Sequence, residues 1–308
     1  MPEITVAIPT FRRPKSLERL LAKLEQLETD ARVTVLVADN DCEGREGLAV
    51  CARLMAGNYR WPLFAVIAPE RGIAHARNRL VEEALKLPGA FIAMLDDDEW
   101  PERRWISEFL RVQSETGADA LHGAVLRDFE GPAGRWVESC EGLAPWRGKT
   151  GPVETIGSTS NVFIHRRCFE EMAKPWFDPA FALGGGEDCD YFLRLKMAGR
   201  RFAWADGAVV HAYVPQSRAN LGWALKRAYS VGNSDFRIFL KHVPGFGSRL
   251  REIAKIALAL LLFPFGLAIL AFVPNRRAVA LCKLARAAGK VTALLGRRYD
   301  EYATTHGA

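Results

Sequence analysis

Phe91-Ile92-Ala93-Met94-Leu95-Asp96-Asp97-Asp98-Glu99-Trp100-Pro101 sets five apolar residues directly against four consecutive carboxylates. An unbroken β-prone run of this length reads as a strand covered on both faces. The strand stops at the acidic run, and Pro101 is placed to open the next helix. Upstream, Ile4 to Ile8, Val33 to Ala38 and Phe64 to Ala68 are runs of the same kind. Helical patterns lie between them. Leu17, Leu20, Leu21, Leu24 and Leu27 share one face after Pro14, and a further helix is expected from Ile73 to Lys86. Apolar strands alternating with helices predict a parallel α/β sheet. Ligands of such sheets bind outside the carboxyl ends of the strands, where Asp39 and the acidic run both fall.

From about residue 106 to 215 the pattern is mixed. Short β-like stretches at 120–126, 160–164, 202–205 and 208–211 flank loops rich in Gly and Trp, and a helix is expected from Glu187. The chain has 308 residues, 49% of them hydrophobic and 25% charged, which fits a large globular domain with an appendage and excludes a disordered chain. The six cysteines form no CxxC pair, so reduced thiols are expected and a cysteine metal cluster is not. Residues 1–248 hold 32 Lys+Arg against 33 Asp+Glu, whereas residues 249–308 hold 10 against 3. The basic excess therefore belongs to the tail. A nucleic-acid binder would carry it on the folded body, so no nucleic-acid partner is expected.

Within the tail, Ile256 to Val273 is 18 residues without a charge, with Arg249, Arg251 and Lys255 before it and Arg276 and Arg277 after it. A simple span would put one basic cluster on the far side, against the positive-inside tendency. A re-entrant or interfacial hairpin keeps both on one side. Lys283, Arg286 and Lys290 recur at helical spacing among apolar residues, as on an interfacial amphipathic helix. A membrane surface is the expected partner; spanning and re-entrant forms both remain open, as does a buried soluble hairpin. No signal-peptide pattern is seen before Ile4, so the body of the chain is expected in the cytoplasm, at the inner face of the membrane.

Four adjacent carboxylates repel one another unless a cation neutralises them. Asp96 and Asp98 can reach one rim of a site and offer hard oxygen ligands suited to Mg²⁺ or Mn²⁺, with diphosphate oxygens completing the shell. Capping of the following helix by Asp98 or Glu99 would account for one carboxylate, not four. Gly184-Gly185-Gly186-Glu187-Asp188-Cys189-Asp190 places carboxylates at a helix start, either as caps or beside the site. In the second case one of them can accept the proton of an attacking hydroxyl. His211 follows a short strand and is either a structural hydrogen-bonder or a third metal ligand. Trp100 and the stretch Thr159-Ser160-Asn161 are compatible with ligand contact, and equally with core and turn roles.

Several strings here resemble the motifs of family 2 glycosyltransferases, in the family's order. They are Ala7-Ile8-Pro9-Thr10-Phe11-Arg12-Arg13-Pro14, Val37-Ala38-Asp39-Asn40-Asp41, Arg71-Gly72-Ile73-Ala74-His75-Ala76-Arg77-Asn78, Leu95-Asp96-Asp97-Asp98-Glu99-Trp100-Pro101 and Gly186-Glu187-Asp188. Phe11-Arg12-Arg13-Pro14, Ala38-Asp39-Asn40-Asp41 and Gly232-Asn233-Ser234 are similar to the glucosyltransferases of bacterial succinoglycan-type exopolysaccharide assembly. The resemblance implies an α/β GT-A fold: a Rossmann-like nucleotide-binding half (1–105) merged with a mixed-sheet acceptor half (106–248). A membrane-associated helical hairpin (249–298) and a tail (299–308) would follow. It implies inversion at the anomeric carbon, with Pro9, Thr10, Arg12, Asp39, Arg77, Asp96 and Asp97 on a nucleotide-sugar donor, a UDP-sugar first. Asp98 and Asp96 would form the DxD pair, with His211 as a third ligand. Asp188 would be the base, supported by Glu187, and Trp100, Gly186 and Asn161 would meet the acceptor. The tail makes a lipid-linked glycan the expected acceptor. The alternatives are transfer to polyprenyl phosphate, or a membrane-attached nucleotide-sugar-binding protein without turnover.

Overall fold

In the computed structural model the parallel strands predicted from the apolar runs lie side by side. The structure describes residues 1–301 except 141, 244 and 271–273, and leaves out the side chains of 135, 259, 264–270, 274 and 275. The nucleotide half runs β1 (Glu3–Thr10), α1 (Pro14–Leu24), β2 (Arg32–Asp39), α2 (Glu46–Ala56), β3 (Leu63–Ile67), α3 (Ile73–Ala84) and β4 (Phe91–Met94). These strands pair in parallel in the order β3-β2-β1-β4. Alternate residues of each strand feed two cores. Ile4, Val6 and Ile8 pack with α1, whereas Ala7, Leu36 and Ala38 pack toward Leu80 and Val81 of α3. Both faces are covered, which is why these strands read as continuous apolar runs.

The acceptor half adds β5 (Glu99–Pro101), α4 (Trp105–Thr116), β6 (Ala120–Phe129), β7 (Gly151–Val153), β8 (Val162–His165), α5 (Arg167–Glu170), α6 (Glu187–Met197) and β9 (Phe202–Val214). The sheet continues β4-β8-β6-β9-β5, and β7 also pairs with β9. β8 runs antiparallel to β4 and β6, so the sheet becomes mixed where the sequence pattern did. Pro101 does not open a helix. It belongs to β5, which pairs with Trp100 opposite His211 of β9, and α4 begins only at Trp105. The two short stretches expected at 202–205 and 208–211 are one strand, β9.

Asn161 lies at the crossing of these strands, fully buried and in a left-handed conformation at φ 50°. Its amide donates to the carbonyls of Ala124 and Ala208 and accepts from Trp105 Nε1. The side chain expected to meet the acceptor is thus used inside the protein: two of its bonds tie strands and the third holds α4.

Beyond β9 come three long helices, α7 (Leu221–His242), α8 (Phe246–Leu270) and α9 (Pro274–Leu294). α8 and α9 take the helical form expected of the tail, although residues 271–273 and 302–308 lie outside the described residues. Among the described residues no helix is long and apolar enough to cross a membrane. α9 lies close along α7. A Cβ on Gly232 would stand 2.0 Å from the Arg286 carbonyl oxygen, and one on Gly289 would stand 2.0 Å from that of Tyr229. Those backbones touch only because neither residue has a side chain. Gly289→Ala is therefore expected to push the helices apart. Overpacking of this kind costs about 1–3 kcal/mol. Urea unfolding should record the loss, and limited proteolysis should cut within 274–301 before the body of the chain.

Candidate active site

The carboxyl ends of β1 and β4, the first turns of α3 and α6, and residues 212–214 of β9 surround a cavity of about 270 Å³. Pro9, Thr10, Arg77, Asp96, Asp97, Asp98 and Asp188, all expected at the site, line it together. Asn40 shapes one wall. Its amide donates to the carbonyls of Ala68 and Glu70 and accepts from Gly72 N at 2.7 Å. This clip fixes the loop that carries Arg71 into the cavity.

Charge neutralisation sets the arrangement of the acidic run. Thr10 Oγ1 donates to Asp97 Oδ2 at 2.9 Å. Arg13 Nη1 lies 3.0 Å from Asp97 Oδ1 and 3.1 Å from Asp98 Oδ2, and Arg218 reaches Asp98 Oδ2 at 3.2 Å. Arg77 bridges Asp96, at 2.9 Å, and Glu187. Glu99 turns inward, where Ser160 Oγ and the Asp96 amide donate to it. Burial pushes Glu99 up to about 8, with Asp96 and Asp98 adding to the push. Burial likewise raises Asp97 to about 6 against the pull of Arg13, and Glu187 to about 7 against that of Arg77. Asp96 is raised as well, first by burial and then by Asp98 and Asp188, although Arg77 opposes this. Even with these arginines in place, the floor carries carboxylate charge that a cation would stabilise.

Asp96 and Asp98 are the residues suited to such a cation. They are hard oxygen donors, and Asp96 is 36% exposed toward the cavity side. Among the described residues no cluster of three or more His, Cys, Asp or Glu forms a closed metal site. Two carboxylates with open positions fit Mg²⁺ or Mn²⁺, which keep water and ligand phosphate oxygens in their shell.

Other expected residues are not brought to the cavity. Asp39 is fully buried, and its carboxylate accepts from the amides of Asp41 and Leu48, which uses it to tie the turn to the start of α2. Arg12 points to Asp41 and Glu43. His211 lies 3.3 Å from Glu102 and stacks on Trp100, whose ring also meets Arg19 at 4.1 Å. Neither ring is among the residues that line the cavity, so the expected third metal ligand and the expected acceptor contact are not brought to it. Gly186 supplies a φ of 97° ahead of α6 and packs on Ser234 instead of lining the cavity. Glu187 is buried behind Arg77, while Asp188 faces the cavity, its Oδ1 accepting from Cys189 N at 2.8 Å. Asp190 is structural, held by Arg194, Lys241 and His242.

Sequence reasoning missed Arg127, Trp146, Tyr213, Arg218, Trp223, Arg227 and Glu301, all of which line the cavity. Each stands alone in its local sequence, so no spacing marks it.

Residues 5–173 match the model of the family described as Glycosyl transferase family 2. This chain belongs to that family. It is 32% identical over 265 residues to the succinoglycan biosynthesis protein ExoM of Rhizobium meliloti (strain 1021), covering 83% of this chain and 80% of that one. Its fold is similar to that of the mannosyltransferase PcManGT from Pyrobaculum calidifontis, solved with GDP-Man and Mn²⁺. The TM-score is 0.63 at 17% identity, over 96% of this chain and 88% of that one. A second likeness, at TM-score 0.55 and 16% identity, is to GalNAc-T7 solved with UDP, GalNAc and Mn²⁺, over 78% of this chain and 50% of that one. At such identities the two structures speak to the fold, which is the mixed α/β GT-A type. The family 2 glycosyltransferase is thus an enzyme, and the alternative of a binding protein without turnover falls away.

The Arg77 bridge gives a stability test. Removing one partner of a buried ion pair leaves the other charge uncompensated, at a cost of about 3–5 kcal/mol. Arg77→Ala is expected to lose that much in urea unfolding. Adding Glu187→Gln, which removes the stranded charge, is expected to restore a large part of it.

Proposed function

We propose that this glycosyltransferase moves a sugar from a nucleotide-sugar donor, a UDP-sugar first, to a hydroxyl of a lipid-linked oligosaccharide, with inversion at the anomeric carbon. One observation carries the reading. Asp96 and Asp98, the arginines Arg13, Arg77 and Arg218, and Asp188 line one cavity at the carboxyl ends of the strands. That combination suits a donor diphosphate next to an attacking hydroxyl.

In this reading Thr10 and Pro9 border the nucleoside, and the guanidinium groups bind diphosphate oxygens through charge-assisted hydrogen bonds. Asp98 and Asp96 would hold a divalent cation, which would supply stabilisation of the charge that grows on the leaving diphosphate. Glu187 keeps Arg77 in place. Asp188 takes the proton of the acceptor hydroxyl as that oxygen attacks the anomeric carbon from the face opposite the diphosphate. A single displacement inverts the centre and needs no sugar–enzyme bond.

The test is nucleoside diphosphate release from UDP-, GDP- and dTDP-sugars, with and without Mn²⁺. One donor is expected to turn over only with metal. Asp188→Asn should lose about 10²–10⁴ in kcat, the usual contribution of a positioned base, with donor affinity kept. Release that survives chelation and Asp98→Asn would remove the metal from the mechanism. Undiminished turnover in Asp188→Asn would remove the base.

The lipid-linked acceptor and a place at the cytoplasmic face of the bacterial inner membrane rest on the tail. α8 exposes Phe246, Leu250, Leu258, Leu261 and Leu262, at 81%, 56%, 54%, 68% and 53%. Helical spacing gathers them on one side, as in a helix lying in a membrane surface. Cosedimentation with phosphatidylglycerol vesicles is expected for the full chain. Replacing Leu258, Leu261 and Leu262 together by Ser should weaken it more than about tenfold, since burying one such side chain contributes about 1.5 kcal/mol or more. Equal binding by the triple variant would detach the tail from the membrane.

A further inference from the structure

The acidic run divides by burial. Asp97 and Glu99 are buried, whereas Asp96 and Asp98 are partly exposed at the cavity. Asp97 is turned inward by Thr10 and Arg13. Glu99 is turned inward by a different device. Its Oε2 accepts from the Asp96 amide at 3.1 Å, while its own amide donates to the Asp96 carbonyl at 3.1 Å. Side chain and backbone thus close the same turn, the one that carries Asp96 and Asp98. A glutamate that reaches back three residues to a backbone amide repeats the geometry of the helix capping box, where glutamine has the length to serve as well.

The other oxygen of Glu99 is fixed from the acceptor half. Ser160 Oγ donates to Glu99 Oε1. Ser160 stands in the segment that enters β8, whose Val162 pairs with Met94 at the end of β4. Its place is set on both sides. Its amide donates to Ser158 Oγ at 3.1 Å, and the next residue is Asn161, whose three hydrogen bonds hold β6, β9 and α4. The Glu99 backbone is in turn paired with Ala212 of β9. The turn between β4 and β5 is therefore pulled from within by one carboxylate, each of whose oxygens has a fixed partner.

We propose that Glu99 and Ser160 are positioning residues for the divalent cation: they hold the Asp96–Glu99 turn so that Asp96 and Asp98 present their carboxylates together, and Glu99 is not itself a ligand. Both of its oxygens are engaged inside the protein, which leaves the cation to its neighbours. What Glu99 supplies is reach, not charge. Partners that orient metal ligands contribute about 10–100-fold to metal affinity. The role rests on the metal reading above.

The test separates reach from charge. UDP, GDP and dTDP are titrated calorimetrically into the full chain in detergent, with Mn²⁺ and without metal. For the nucleotide that binds most tightly, the ratio of the two affinities is the gain conferred by Mn²⁺. Glu99→Gln keeps the reach and removes the charge, and is expected to keep the gain. Glu99→Asp keeps the charge and shortens the reach, and is expected to cut the gain about tenfold, the lower end of such effects. Ser160→Ala should lower the gain in the same direction. Affinity without metal should match the wild-type chain in all three variants. A gain lost in Glu99→Gln as fully as in Asp98→Asn would make Glu99 a ligand and overturn the positioning role. A gain that Glu99→Asp and Ser160→Ala both keep would overturn it too, with the metal reading intact. No gain in the wild-type chain would remove the metal itself, and this role with it.

Discussion

Carboxylate repulsion at the end of β4 organises this molecule. Asp96, Asp97 and Asp98 are balanced by Arg13 from the loop after β1, Arg77 from α3 and Arg218 from the segment after β9. Those partners lie 84, 19 and 120 residues away in the chain. No residue beside the run supplies them: Arg13 and Arg77 come from elsewhere in the nucleotide half, and Asp98 gains Arg218 only once β9 has joined the sheet. The same requirement ties the halves together: Arg77, in the nucleotide half, holds Glu187 of α6, in the acceptor half. Buried ion pairs are weak sources of net stability and strong sources of penalty when broken. The network therefore defines which arrangement of the two halves is tolerated more than it adds to stability.

How much of this was legible depended on where the information lay. β1, β2, β3 and β4 could be read because burial on both faces writes a continuous apolar run. β5 could not: it is three residues long, starts with Glu99 and ends with Pro101, and exists because β9 offers it a partner. β9 read as two pieces because Asp206 and Gly207 interrupt it. α7 was not delineated because, before Phe236 and Ile238, its buried face is built mostly from small residues (Ala224, Ala228, Ser230, Gly232 and Ser234) that leave little periodic signal. In the site, four adjacent acids announce themselves, whereas their arginines are single residues scattered over the chain. Asp39 and His211 show the reverse difficulty. A carboxylate after a strand reads the same whether it meets a ligand or caps a turn, and a histidine reads the same whether it meets a metal or stacks on Trp100 across a strand pair that the sequence does not reveal.

The tail joins the body more closely than its composition indicated. Its basic and apolar character pointed outward, to a membrane. Yet α9 lies along α7 through the Gly232 and Gly289 backbones, and the residues after it thread past Tyr229 to reach the cavity with Glu301. One segment thus shows leucines on its outer face and contributes a carboxylate to the pocket on its inner side. Position at a surface and composition of the pocket are covalently linked through about 50 residues of helix.

The pairing of β5 with β9 sets an order on synthesis. The backbone that follows Asp98 finds its sheet neighbour only in residues 210–212, and Tyr213 N donates to the Asp98 carbonyl at 2.9 Å. A chain emerging from the ribosome at about 5–20 residues per second carries the acidic run outside the exit tunnel for several seconds before that neighbour exists. The nucleotide half, with its parallel strands contiguous in sequence, can assemble in that interval. The site cannot. Until β9 and Arg218 have been made, Asp98 lacks its contacts with Tyr213 N and Arg218, and the site stays open on that side.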